Sequence, residues 1–142
     1  MNNAQYYFDL GVNSTKARNF EESIQHFSTC IEMDPAAAIA YYMRAESHLM
    51  LNHYREALSD YDKAIELNPH VEKFYFDRFS LRESLNDFDG ALQDLDRIIE
   101  INPDEPRNFA NRAYFRTYLD DLQGALEDFS KAIENKATIV SR

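Results

Sequence analysis

Apolar residues recur at intervals of three and four along nearly the whole chain, in eight stretches separated by short polar breaks. That spacing lines one face of a helix and does not alternate as a strand would, so it predicts an all-α protein. The stretches run approximately over 4 to 17, 20 to 34, 38 to 51, 54 to 68, 72 to 85, 88 to 102, 106 to 119 and 122 to 135. Four of the breaks are the pairs Arg18-Asn19, Asn52-His53, Asn86-Asp87 and Asp120-Asp121. Asn and Asp tolerate the left-handed turn conformation better than most residues other than glycine. The other breaks carry Pro35, Pro69 and Pro103, which lack a backbone donor and restrict the residue before them, and so end a helix.

These prolines stand 34 residues apart, preceded by Met-Asp, Leu-Asn and Ile-Asn. Shifting the chain on itself by 34 aligns Tyr7, Tyr41, Tyr75 and Phe109; then Ser23, Ala57, Ala91 and Ala125; then Phe27, Tyr61, Leu95 and Phe129. Each unit is a helix pair, and the repeats span approximately 4–37, 38–71, 72–105 and 106–139. The period, the small-residue column, the aromatic four residues later and the terminal proline resemble the tetratricopeptide repeat family. The resemblance covers residues 4 to about 137. It implies one domain over 1–142 in the form of a right-handed superhelical solenoid, with first helices lining a concave groove and second helices forming the convex back. It also implies a scaffold for protein-protein interaction and not an enzyme.

Three departures from the family pattern stand out. The small residue that lets helices approach is Gly11, Ala45 and Ala113, but Phe79 in the third unit, where Ile98 also replaces the small Cys30, Ala64 and Ala132. Extra volume in a close-packed core forces adjustment. The column usually held by tyrosine reads Ser14, His48, Arg82 and Arg116, which removes an aromatic packing group. The fourth unit has Ala137 where the proline belongs.

Charge narrows the partner. Acids outnumber bases 25 to 15, giving a formal net charge of -10, which argues against nucleic acid and favours a ligand with basic character. The single cysteine, Cys30, cannot form an internal disulfide, and Met1-Asn-Asn-Ala-Gln does not begin a signal peptide, so a cytoplasmic protein is expected. No apolar run approaches the ~18 residues that span a bilayer, so no membrane partner is expected. His26, His48, His53 and His70 form no helical ligand set, and Cys30 has no partner at metal spacing, so neither metal nor cofactor is implied. Cys30 lies in a small-residue column and reads as core. Glu21-Glu22 and Asp120-Asp121 sit at helix starts, where acids act as caps. No catalytic constellation appears.

Arg44, Arg78 and Arg112 repeat at 34 inside first helices, and Asp60, Asp94 and Asp128 repeat in the second helices of the same units. The first unit has Leu10 and His26 in those columns, lacking both members together, which points to structural Arg–Asp pairs within repeats and away from an anion-binding ladder. Carrying the family's groove onto this chain places Gln5, Phe8, Asp9 and Val12 on the concave face. Tyr42, Met43 and Glu46 follow, then Lys73, Phe76, Asp77 and Ser80, then Arg107, Asn111, Tyr114 and Tyr118. Such a surface, apolar with flanking acids, suits a protein or peptide ligand that is apolar and basic. Phe8, Tyr42 and Phe76 form a column, and packing between neighbouring first helices is the alternative role for them. Family members that clamp chaperone C-termini use Lys, Asn and Arg where this chain has Phe8, Val12, Met43 and Asp77; only Lys73 matches. Self-association is the alternative function: with no further capping helix, Leu126, Phe129 and Ile133 of the fourth unit stay exposed unless Ala137 to Arg142 folds back, and a homodimer would cover them. An interaction segment of a larger assembly fits the same pattern.

Overall fold

The computed structural model describes residues 3–141, and among these there are eight helices and no strand. The helices are α1 (Asn3–Lys16), α2 (Phe20–Met33), α3 (Ala38–Met50), α4 (Tyr54–Leu67), α5 (Glu72–Ser84), α6 (Phe88–Ile101), α7 (Pro106–Tyr118) and α8 (Leu122–Val140). Odd-numbered helices are the first, and even-numbered ones the second, of each repeat.

The four short breaks share one geometry. Arg18, Asn52, Asn86 and Asp120 take positive φ, between 60° and 65°. The next residue's N–H donates back to the carbonyl of Ser14, His48, Arg82 or Arg116 at 2.8 Å, which closes the helix end in the Schellman manner. That same next residue opens the following helix. Asn19, Asp87 and Asp121 accept from the N–H groups of Glu22, Gly90 and Gly124, while His53 makes no such side-chain bond. Asn19 also donates from Nδ2 to Glu22 Oε2 at 2.8 Å, which ties Glu22 into the cap. The first break therefore differs from the sequence expectation: Asn19 is committed to capping α2, and Arg18 takes the left-handed position.

The prolines act as their chemistry requires. Asp34, Asn68 and Asn102 close α2, α4 and α6 with ψ between 80° and 92°, outside the helical region that a following proline disfavours. Without a proline at Ala137, α8 continues to Val140, five residues beyond the expected end. The fold-back of residues 137 onward is thus corrected for those described: they extend α8, and Arg142 lies outside the described residues. Asn135 Nδ2 donates to the Pro103 carbonyl at 3.2 Å and anchors the extension.

The chain divides into two compact units, one ending at Phe74 and the other starting at Tyr75, within α5. In the first, Phe27 and Tyr61 are fully buried. A Cβ on Gly11 would come within 2.6 Å of the Phe27 ring, so the close approach of α1 and α2 requires glycine there. Ala4, Cys30, Ile31 and Ala40 form a buried cluster against which Tyr7, Phe8, Ala37 and Tyr41 pack. The buried hydroxyls of Ser23 and Ser47, 2.7 Å apart, join α2 to α3. In the second unit, Ala91, Leu95, Ile98, Phe109, Ala113, Phe115 and Ala125 are buried. Phe79 is only half-buried there, its ring set edge-on to Phe115 at 5.2 Å and 5.9 Å from Phe76. The bulky residue is absorbed in an aromatic cluster, while Leu95 and Ile98 fill the core.

Candidate functional site

Each repeat after the first contains a buried aspartate on its second helix. Asp60 accepts from Arg44 Nε at 2.8 Å and Nη2 at 2.7 Å. Asp94 accepts from Arg78 Nη2 at 2.6 Å, and Asp128 from Arg112 Nε and Nη2 at 2.9 and 2.8 Å. The arginines also reach backward. Arg44 Nη1 donates to Ser28 Oγ at 3.0 Å and Arg112 Nη1 to Asp96 Oδ1 at 2.9 Å, linking each to the preceding second helix. Tyr41, Tyr75 and Phe109, three residues before each arginine, lie beneath the guanidinium at 5.5, 5.7 and 5.8 Å. Hydrogen bonds to Asp60 and Asp128 hold Arg44 and Arg112 above the ordinary guanidinium range.

A second nitrogen-bearing side chain approaches each aspartate, from a column that the sequence treated only as a lost aromatic. Arg82 Nη1 donates to both oxygens of Asp94 at 3.2 Å, and Arg116 Nη1 to Asp128 Oδ2 at 2.8 Å. His48 Nε2 lies 3.9 Å from Asp60. The signal was present in the column Ser14, His48, Arg82 and Arg116, which holds a basic side chain in every unit except the one that lacks the aspartate. Burial raises the Asp94 carboxyl above the ordinary carboxylate range, with Arg78 and Arg82 pulling the other way. Burial likewise lowers His48.

The residues assigned to the groove are not equivalent. In the first unit, Gln5 donates to Asp9 at 2.9 Å, and both are exposed on α1. Phe8, Val12, Met43 and Glu46 are half-buried, with Phe8 against the Phe27 ring at 5.7 Å and Glu46 accepting from the Tyr61 hydroxyl. Tyr42 is 8% exposed, stacked on Phe74 at 4.9 Å and 6.0 Å from Tyr61, an environment that suits the packing alternative. Lys73 is exposed.

In the second unit, Phe76 and Ser80 are exposed on α5 and Asp77 is half-buried. Arg107, Asn111, Tyr114 and Tyr118 share one face of α7, spaced by four, three and four. Tyr114 and Tyr118 are 67% and 68% exposed. Their rings are held from behind. Tyr114 stands edge-on to Phe129 at 5.1 Å, and Tyr118 is edge-on to Phe88 at 5.7 Å and stacked on Phe115 at 6.2 Å. Phe129 itself is half-buried behind Tyr114, whereas Leu126 and Ile133 on α8 are exposed.

Cys30 is buried, and burial with Asp34 nearby raises its thiol, leaving little thiolate at neutral pH. Among the described residues no group of three or more His, Cys, Asp or Glu could hold a metal ion, and no helix is long and apolar enough to cross a membrane.

Residues 4–36 and 38–71 each match the tetratricopeptide repeat. A NADPH oxidase activator of Dictyostelium discoideum is 41% identical over 49 residues, covering 32% of this chain and only 8% of that relative's length. Crystallised MamA is similar over 99% of this chain and 82% of its own, with a TM-score of 0.85 at 20% identity. MamA from residue 41 onward of Desulfovibrio magneticus gives 0.78 at 15% identity, over 97% and 78% of the two chains. The first tetratricopeptide domain of Spaghetti (RPAP3), bound to the HSP90 peptide SRMEEVD, gives 0.73 at 23% identity, over 82% of this chain and 93% of that one. At these identities the likeness is one of fold, a helical repeat. Residues 4–36 and 38–71 are thus two tetratricopeptide repeats, and the same helix pairs at a 34-residue period run on through α5 to α8.

Proposed function

We propose that this chain is a protein-protein interaction module that takes a peptide or protein segment on the exposed face of its first-type helices. The observation that carries this reading is the α7 face, where Tyr114 and Tyr118 are mostly solvent-exposed yet braced by Phe129, Phe88 and Phe115. Braced aromatic rings supply contact area while losing little conformational freedom on binding. Phe76 and Ser80 on α5 offer a similar mixture, and Asp77 on the same helix selects against a negatively charged ligand. Arg44, Arg78 and Arg112 are scaffold on this reading, because their guanidinium donors are engaged by Asp60, Asp94 and Asp128.

The ligand is apolar and basic. The Spaghetti domain is bound to SRMEEVD, a peptide rich in acids, but this chain has half-buried Phe8, Val12 and Met43 where a carboxylate clamp needs polar and cationic groups. Selection from a random peptide display library, with SRMEEVD as a fixed control, tests the reading. Enriched sequences should combine aromatic or aliphatic residues with Lys or Arg, and lose at least tenfold in affinity on a Tyr114→Ser, Tyr118→Ser double variant. Enrichment of acidic peptides, or affinity indifferent to the double variant, would contradict it. Self-association through the fourth repeat is a second reading, favoured by the exposure of Leu126 and Ile133.

A further inference from the structure

Two apolar positions of α8 are covered less than their counterparts on the other second helices. Ile31 on α2 and Ile99 on α6 are each 9% exposed, whereas Ile133 in the same column is 71% exposed. Leu126 is 62% exposed, while Ile24, Leu58 and Leu92 in its column are half-buried. In the first unit, α3 of the following repeat packs on α2, and in the second, α7 packs on α6. No such helix among the described residues covers α8.

The extension of α8 alters what fits there. A first-type helix of this chain has 13 or 14 residues, but α8 has 19, and its extra turns carry Ile139 and Val140, the latter 79% exposed. The stripe runs Leu122, Leu126, Phe129, Ile133, Lys136 and Val140, with spacings of four, three, four, three and four. That order reads the same in both directions about Lys131. An antiparallel pair of such helices therefore sets Leu122 opposite Val140 and Phe129 opposite Ile133, and lays the aliphatic stem of Lys136 along Leu126. On its open side the stripe is flanked by Gln123, Ser130 and Ala137, so no like charges meet across the seam. Although the chain carries -10, α8 holds two lysines against three acids, so the strongest self-repulsion lies elsewhere.

We propose that α8 pairs antiparallel with α8 of a second copy, forming a two-fold symmetric homodimer whose axis passes near Lys131. This rests on the self-association reading; the seam meets the ligand face only at Phe129, which backs Tyr114, so the variant that tests it is made at Ile133. Apolar residues buried on the other second helices by the next repeat are buried here by the same stripe of a partner. The seam is one helix wide, at the low end of specific interface areas.

Sedimentation equilibrium on the whole chain from about 1 to about 200 μM tests it. The expected result is a concentration-dependent monomer–dimer equilibrium that shifts at least tenfold toward monomer in Ile133→Lys, with the helical circular dichroism preserved because Ile133 is exposed. The geometry is tested with a short bis-maleimide on single-cysteine additions. Ser130→Cys, near the axis, should cross-link into dimers, whereas Gln123→Cys, which lies opposite residue 139 in an antiparallel pair, should not link to itself; the buried native Cys30 serves as the background control. A monomer at all concentrations, a dimer indifferent to Ile133→Lys, or efficient self-linking of Gln123→Cys would overturn the proposal. Peptide binding by the Ile133→Lys variant should be unchanged, so the failure of this inference and the failure of groove binding read out separately.

Discussion

At the residue scale, the buried aspartates explain why cations recur on the first helices. Asp94 is fully buried and shared by Arg78 and Arg82, so Asp94→Ala would remove the buried carboxylate that the two guanidinia hold in common. The variant should lose about 3–5 kcal/mol of stability in urea unfolding. At temperatures where it stays folded, its peptide affinity should be unchanged; an affinity loss with stability intact would show that the ladder contacts ligand after all. His48 gives a pH signature. It packs beside Asp60, Arg44, His53 and Glu56, and burial lowers its protonation below the ordinary value near 6.5. The unfolded state therefore binds more protons between the folded value and 6.5, so the His48 contribution is complete above 6.5 and is lost as pH falls through that window. The drop in urea midpoint between pH 7.5 and pH 5.5 should be smaller in His48→Gln than in the parent chain, and equal drops would remove His48 from the account.

At the element scale, much of the fold was legible because its determinants are local. The 34-residue proline spacing, the Asn/Asp breaks and the three-and-four periodicity each act within a few residues of where they are read. The first seven helices accordingly end within two residues of the expected positions. Two misses have physical reasons. Arg18 occupies the left-handed site because Asn19 is committed to capping α2, a competition between neighbours that composition does not reveal. Helix α8 overran because nothing in Asn135-Lys136-Ala137 replaces the proline that stops the other second helices. Ala137→Pro should therefore shorten α8 by about one turn, lowering the helical circular dichroism while moving the thermal midpoint by only a few degrees, since the residues lost are exposed. Unchanged helicity would mean that the end of α8 is set by something other than the missing proline.

At the scale of the whole molecule, the site was less legible than the fold. By analogy Tyr42 and Tyr114 share one role, yet their surroundings differ. Tyr42 is locked between Phe74 and Tyr61, while Tyr114 stands out from α7 with Phe129 behind it. Exposure depends on which ring arrives from another helix, and a 34-residue period repeats positions without repeating those neighbours. On the reading proposed above, the two roles divide by helix type: first-type helices take the ligand and α8 takes the self-association stripe.

The most direct test of that division is backbone amide mapping by NMR, with a peptide from the display selection titrated into the isotopically labelled chain. The account predicts that the largest shifts fall on first-type helices, centred on Asn111, Tyr114 and Tyr118 of α7, with α2, α4 and α6 nearly unmoved. Shifts concentrated on those second helices or on the Leu126–Ile133 stripe of α8 would contradict it.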